Sequence, residues 1–355
     1  MSEKNKIDRR AFLGTGLAAA ASVAAGKAIP DNQVTKNLSP VNPGDELPYN
    51  PRTHLAMPTK SFGKTGYKVG ILSLGGQATL EMEGKEEQSE KMIHRAIDLG
   101  INYIDTAASY GGGVSQKNIG RVMKSRRGEV WLSTKTHDRT YDGSMRLLEE
   151  SLNSLQTDHL DLWQLHNVQR IDQVERIFAE DGALKAMQRA REEGVVRHLG
   201  VTGHYEPLIL LECLRRYPFD SILMALNAAD VHYLSFKNYL LPEALKSGMA
   251  IVGMKVATRG RMISTWTPPP LEEQPERMRT PLPGTLTIKE ALSYNMSLPV
   301  STTILGVDNL EQIEENMKIA SQFSPLPEEE MHALEYKTLP IVRQGLYFRR
   351  WTLGA

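Results

Sequence analysis

The chain of 355 residues holds a single cysteine, Cys213. One thiol cannot form an internal disulfide, and it cannot build a cysteine-rich metal site or an iron–sulfur cluster. It lies in an apolar helical pattern (LILLECLRRY) and reads as an inert core thiol. Net charge is missing too, with 42 basic residues balanced by 42 acidic ones. A neutral chain carries no electrostatic footprint for nucleic acid or an anionic membrane, and its Tyr and Trp are not interleaved with bases. No HExxH, CxxC or EF-hand pattern occurs, so a metal site has no support in the sequence.

A long hydrophobic run is also absent. The stretch 11–25, rich in Ala and Gly, falls short of the ~20 residues that span a bilayer. Just before and within it stands Asp8-Arg9-Arg10-Ala11-Phe12-Leu13, and the small residues Ala24, Ala25, Gly26 and Ala28 follow. These features resemble a twin-arginine (Tat) export signal over 1–28. The resemblance implies passage through the Tat machinery to the bacterial periplasm, with no stable membrane anchor. Residues 29–58 contain Pro30, Pro40, Pro43, Pro48, Pro51 and Pro58, and read as a linker or surface arm.

From residue 59 to the end a regular alternation takes over. Short apolar runs predict strands over 69–75, 101–105, 129–135, 159–166, 196–202, 220–226, 249–255 and 301–305. Helical periodicity fills 86–99, 115–124, 141–155, 172–193, 206–216, 237–247, 287–296 and 309–322. Strands alternating with helices imply parallel βα units, and eight of them make a (β/α)₈ barrel of TIM type. A short hairpin around 62–67 precedes it; an extra helix (328–338) and the tail 345–355 follow. After the seventh strand, 259–284 contains Pro268-Pro269-Pro270 and little periodicity, which reads as a lid at the C-terminal face.

Parallel strands gather their C-terminal ends at one edge, and four polar residues stand there: Asp105, Tyr110, Lys135 and His166. A phenol is a poor acid at neutral pH, with a reference pKa of about 10. A nearby ammonium makes it more acidic, and Lys135 is the candidate. Taken singly these residues have plain structural readings, as a buried ion pair, a loop aromatic and a core histidine. Together at the face where barrel sites lie, they read as a proton-donating site. Gly111-Gly112-Gly113 after a strand invites a dinucleotide-fold reading, but Gln116 occupies the third glycine position of GxGxxG, and that reading fails.

At these residues the chain resembles the aldo-keto reductases, nicotinamide-dependent (β/α)₈ barrels. The likeness rests on 100–124 (GINYIDTAASYGGGVSQKNIGRVMK), 148–166 (LEESLNSLQTDHLDLWQLH), 193–202 (EGVVRHLGVT) and 301–316 (STTILGVDNLEQIEEN), and spans about 60–323. It implies an NAD(P)-dependent oxidoreductase reducing an aldehyde, ketone or sugar carbonyl to the alcohol. Tyr110 would be the general acid, Lys135 its charge partner held by Asp105, and His166 the group that orients the carbonyl. Thr202, Gly203, His204 and Asn227 stand at positions that hold the nicotinamide carboxamide, and Lys255 can meet the pyrophosphate. Gly306, Val307, Asp308, Gln312, Glu315 and Asn316 match the adenosine-binding run. The resemblance implies NADP, whereas Asp308 in that loop suits a ribose hydroxyl and therefore NAD. The alternative from another class is an exported nicotinamide-binding sensor or accessory subunit with little turnover.

Overall fold

The computed structural model of the chain describes residues 46–351. Residues 1–28, which the sequence reading assigns to an export signal, the Pro-rich residues 29–45 and the last tail residues 352–355 lie outside the described residues. An antiparallel hairpin of β1 (Thr59–Ser61) and β2 (Lys68–Gly70) comes first. Eight parallel strands follow and close into a barrel in which the last pairs with the first. They are β3 (Leu72–Ala78), β4 (Tyr103–Asp105), β5 (Trp131–Thr136), β6 (Leu160–Leu165), β7 (Val196–Gly203), β8 (Ser221–Ala225), β9 (Ala250–Met254) and β10 (Thr302–Val307). This is the (β/α)₈ architecture expected, and no strand end is displaced by more than three residues.

Strand register explains where the polar residues go. Asp105 pairs with Ser133, and Lys135 pairs with Gln164. Side chains alternate along a strand, so Tyr103 and Asp105 share one face, as do Trp131, Ser133 and Lys135, and Leu162 and Gln164. That face is the barrel interior, where Tyr103, Trp131 and Leu162 pack with Leu223, Val252 and Ile304. Phe62, from the hairpin turn, closes the base, its ring 5.4 Å from Tyr103 and 5.2 Å from Trp131. The lumen is therefore apolar at the bottom and polar at the top. The opposite faces of the strands, with Ile104, Leu132, Trp163 and Val201, pack against the ring of helices.

Helix Tyr141–Leu155 shows how local signals set this ring. Thr140 caps its first turn by accepting from Gly143 N at 3.1 Å, a bond of the kind worth ~1 kcal/mol. Leu148, Leu152 and Leu155 form its buried stripe, and Gln156 ends it in a left-handed conformation. Two predicted helices are broken. The pattern over 172–193 becomes Ile171–Phe178 and Ala183–Glu192, because Gly182 is extended and bridges to Thr140. A Cβ on Gly182 would lie 2.3 Å from the Ile177 carbonyl oxygen, so only glycine allows this approach. The pattern over 237–247 becomes Phe236–Tyr239 and Leu241–Ser247, with Pro242 in the first turn of the second helix, where its missing N–H does no harm.

The described end of the Pro-rich segment, 46–58, lies against the barrel. Asn50 Nδ2 donates to the carbonyls of Ile97 at 2.8 Å and Ile101 at 3.2 Å, and Thr53 Oγ1 to that of Gly100 at 2.8 Å. The lid region carries two short 3₁₀ turns, Leu271–Glu273 and Glu276–Met278. Gln344 holds it down by donating to the Arg261 and Leu282 carbonyls. In the tail, Arg349 is buried against Asp230 and stacks on Phe236 at 4.0 Å. Cys213 is buried, and burial pushes its thiol up to about 12, so it stays unreactive. Among the described residues no helix is long and apolar enough to cross a membrane.

Candidate active site

Asp105 and Lys135 occupy the top inward positions of β4 and β5, and each side chain is 1% exposed. Lys135 Nζ lies 2.5 Å from Asp105 Oδ2, donates to the Thr106 carbonyl at 2.7 Å and reaches Tyr110 Oη at 3.3 Å. Three acceptors thus meet its three N–H donors. Tyr110 opens a 3₁₀ turn, Tyr110–Gly113, in which Gly111 has φ +56°. A Cβ on Gly111 would fall 2.0 Å from the Glu81 carbonyl oxygen. Glycine therefore lets the turn press against the loop after β3 and aim Tyr110 back over the barrel mouth. His166 follows β6, its ring 5.6 Å from that of Tyr110 and nearly perpendicular, with Nδ1 3.2 Å from Ser109 Oγ. All four predicted residues converge at one point.

Gln164 completes this group and was not singled out from sequence. Its Nε2 donates to Asp105 Oδ1 at 3.1 Å and Ser133 Oγ at 2.7 Å, so both carboxylate oxygens are occupied. The signal was present: Gln164 is a polar residue two positions before His166 in a run otherwise apolar at its inward positions.

Burial dominates the electrostatics. It pushes the Asp105 carboxyl up, while Lys135, Gln164 and Ser133 pull it back. Burial works against charge on Lys135, but Asp105 and Tyr110 outweigh it and hold the ammonium above its ordinary value. The shared proton therefore stays on nitrogen. Tyr110 differs from the expectation that the ammonium would make it more acidic. Burial of the phenol outweighs the pull of Lys135, and its pKa is raised. Burial also drives His166 well below the usual imidazole range, helped by Lys135, Arg139, His137 and Lys255. His166 is neutral at physiological pH.

A cleft of about 690 Å³ leads from Asp105 and Tyr110 to the helix Leu310–Ser321, within the range of ligand pockets. Gly306, Asp308, Gln312, Glu315 and Asn316 line its far end and Lys255 its wall, while Val307 is buried behind them. The β10 register slips between Leu305 and Val307, and a Cβ on Gly306 would come within 3.2 Å of the Gln77 carbonyl oxygen. Asp308 N donates to Gln312 Oε1 at 2.8 Å, and Asn309 Oδ1 accepts from Gln312 N at 2.9 Å. The loop is thus closed on itself.

The expected carboxamide positions are engaged elsewhere, and none of them lines the cleft. Thr202 Oγ1 accepts from Asn167 N at 2.8 Å. At Gly203 a Cβ would sit 2.9 Å from the Val168 carbonyl oxygen, which leaves no room for a side chain. His204 stacks on Phe348, and Asn227 ties the Lys255 carbonyl to Ala229 N.

Beyond Lys255, the cleft also takes residues not singled out from sequence, among them Thr258, Arg259 and Gly260. Lys255, Thr258, Arg259 and Gly260 all have positive φ, which turns this stretch over the cleft. Thr258 Oγ1 is buried there with no protein partner. Lys255 Nζ is 3.3 Å from Gln77 Oε1, and Arg259 is 3.4 Å from Glu81. Burial, then Arg259 and Lys135, push Lys255 down to about 8. Among the described residues no group of three or more His, Cys, Asp or Glu is placed to hold a metal ion.

A closed parallel barrel with a tyrosine over a buried lysine–carboxylate pair, beside a long ligand cleft, has the layout of a barrel oxidoreductase. The chain belongs to the aldo/keto reductase family, whose sequence model matches residues 69–288. It is similar to an uncharacterized oxidoreductase of Bacillus subtilis, 25% identical over 324 residues, covering 82% of this chain and 98% of that protein. It is also similar to L-galactose dehydrogenase of Arabidopsis thaliana, 25% identical over 291 residues, 75% of this chain and 89% of that one. In structure it resembles an aldo-keto reductase from Bacillus halodurans with a TM-score of 0.65 and 25% identity, covering 79% of this chain and 96% of that one. The fold is shared with a Klebsiella pneumoniae aldo-keto reductase solved with NADPH, at a TM-score of 0.61 and 20% identity over 83% of this chain and 97% of that one. The chain is thus an oxidoreductase of a family that works with NAD(P)H.

Proposed function

We propose that this protein reduces the carbonyl of an aldehyde, ketone or sugar to the alcohol, reversibly, with Tyr110 as the proton donor. One observation carries the reading: the Tyr110 hydroxyl lies 3.3 Å from a buried ammonium at the inner end of the cleft. When bound, a reduced nicotinamide supplies hydride to the carbonyl carbon. As charge grows on the carbonyl oxygen, Tyr110 Oη gives up its proton, and Lys135 stabilises the phenolate that burial alone would penalise. The raised pKa of Tyr110 suits this direction, because a donor must be protonated at neutral pH. Asp105, held by Gln164, keeps Lys135 charged and in place. Ser109 Oγ lies 3.2 Å from His166 Nδ1; in the tautomer that carries its proton on Nε2, Nδ1 accepts from Ser109 and the neutral imidazole donates through Nε2 to the carbonyl oxygen.

The cleft suits a dinucleotide. Lys255, Arg259 and the unpartnered Thr258 hydroxyl would hold the pyrophosphate, and Glu315 and Asn316 the adenine. Asp308 is exposed at the ribose end; a carboxylate there accepts from a 2′-hydroxyl and repels a 2′-phosphate, which favours NAD(H). The likeness to L-galactose dehydrogenase supports a sugar among the candidate substrates. From the twin-arginine motif we propose that the protein is exported folded, to the periplasm, with the dinucleotide already bound. The test is to purify the mature protein from that compartment, denature it and assay the released dinucleotide. Stoichiometric NAD(H) supports the reading; an empty protein that takes up neither NADH nor NADPH in titration rejects it.

A further inference from the structure

The proton-donating group has a neighbour that it does not touch through its reacting atoms. Arg139, in the loop after β5, is folded beneath the turn that follows β6. Its Nη2 donates to the His166 carbonyl at 2.7 Å and the Asn167 carbonyl at 3.3 Å. Asn167 has φ +51°, a left-handed conformation that asparagine tolerates better than other residues with a Cβ, and its surroundings hold it there. The enforcement is visible on all sides. His166 N donates to the Thr136 carbonyl at 2.8 Å, Asn167 N to Thr202 Oγ1 at 2.8 Å, and Val168 N to the Thr202 carbonyl at 2.9 Å. Thr202 thus acts on the backbone that carries His166.

A guanidinium is more than this backbone needs. Two carbonyls could be met by a neutral donor, yet the chain buries a cation whose Nη1 has no hydrogen-bond partner. Burial pushes Arg139 down to about 10, a measure of how poorly the site solvates it. The nearby carboxylate, Asp138, is engaged with Thr140 N at 2.7 Å and Thr140 Oγ1 at 2.6 Å. A buried cation with unmet donors is a cost in stability, so its charge calls for another reason.

We propose that Arg139 is a positioning residue for His166: it fixes the His166–Asn167 turn and sets a positive charge behind the imidazole, which adds to burial and Lys135 in opposing its protonation, so that His166 meets the substrate carbonyl as a neutral donor. The inference rests on the proposed carbonyl reduction for its purpose, but not for its geometry. The groups facing His166 come from every element packed on it. Lys135 lies on β5, His137 and Arg139 on the loop after it, Lys255 on the loop after β9, and Ser109 and Tyr110 on the turn after β4. The carboxylates facing this set are Asp105, which Lys135 neutralises, Asp138 beside Arg139, and Glu81, which acts on Tyr110 and Lys255. Burial is the largest influence on His166, and Arg139 adds to it from behind.

Two variants separate charge from shape. Arg139→Gln keeps an N–H donor for the turn and loses the charge; Arg139→Lys keeps the charge and loses the planar fork. The first readout is the ¹⁵N NMR titration of His166, identified by the signal lost in His166→Asn. The His166 midpoint in R139Q should lie above that of wild type, whereas that of R139K should stay with wild type. The second readout is kcat for 4-nitrobenzaldehyde with NADH. In R139Q it should fall more at pH 5.5 than at pH 8, with KM for NADH unchanged. A folded R139Q whose His166 midpoint matches wild type overturns the proposal, as does an R139K whose midpoint rises as far as that of R139Q. If no variant, wild type included, turns over any carbonyl, the functional reading fails, while the NMR titration still decides the role of Arg139.

Discussion

Dinucleotide affinity should fall about tenfold between pH 7 and pH 9, through Lys255 alone. Burial, Arg259 and Lys135 together bring this lysine down to about 8, so its charged fraction drops roughly tenfold over that interval. A pyrophosphate beside it favours the ammonium, so the bound form stays charged and binding takes up a proton. The sign follows: a group whose pKa rises on binding strengthens binding below its free value and loses that contribution as pH climbs through it. Tenfold corresponds to about 1.4 kcal/mol, in line with one charge-assisted contact. The assay is a fluorescence titration with NADH at pH 7, 8 and 9 and constant ionic strength, because salt screens the same contact. Lys255→Arg keeps its charge throughout and should flatten the profile. Lys255→Met should be flat as well, and weak already at pH 7. If wild type and K255R lose affinity in parallel, Lys255 does not meet the phosphates and the cleft has been read wrongly.

Two further outcomes follow from the same geometry. Asp105→Asn or Lys135→Met leaves an uncompensated polar or charged group in a fully buried site, so each should lower stability by about 3–5 kcal/mol in urea unfolding. The double variant should cost clearly less than the two added together, and simple additivity would contradict the pairing. Asp308→Lys replaces a carboxylate at the ribose end with a base, and should shift the ratio of NADPH to NADH affinities by at least about tenfold toward NADPH. An unchanged ratio would place the adenosine elsewhere.

Much of this was legible in the chain because both faces of a parallel strand are covered. Each strand therefore appears as a short apolar run, and a polar residue at its end stands out. Asp105, Lys135 and His166 were readable for that reason, and Tyr110 because a glycine turn follows it. Gln164 stood out as a polar residue in such a run, but its role needed the register, since it is paired with Lys135 across β5 and β6. The break at 179–182 could not be read, because it comes from Gly182 docking on Thr140, a contact between distant parts of the chain. The same holds for Arg139, whose partners, the His166 and Asn167 carbonyls, lie on the turn after the next strand. Thr202, Gly203, His204 and Asn227 sit at the expected strand ends. Packing against Asn167, Val168, Phe348 and Ala229, which periodicity does not report, has claimed them. Thr258 and Arg259 were hidden because a run of left-handed residues in a proline-rich loop has no sequence period.

The central claim is that Tyr110 donates the proton, and Tyr110→Phe tests it most directly. The substitution keeps the ring between His166 and Lys135 and removes only the hydroxyl. A carbonyl substrate found by panel screening would be followed in single-turnover reduction, alongside a titration with NADH. The account predicts that reduction slows by about 10²–10⁴-fold, the usual contribution of a general acid, while NADH affinity stays within about twofold. Reduction by Y110F within about threefold of wild type would contradict it and move the proton donor to another group in the cleft.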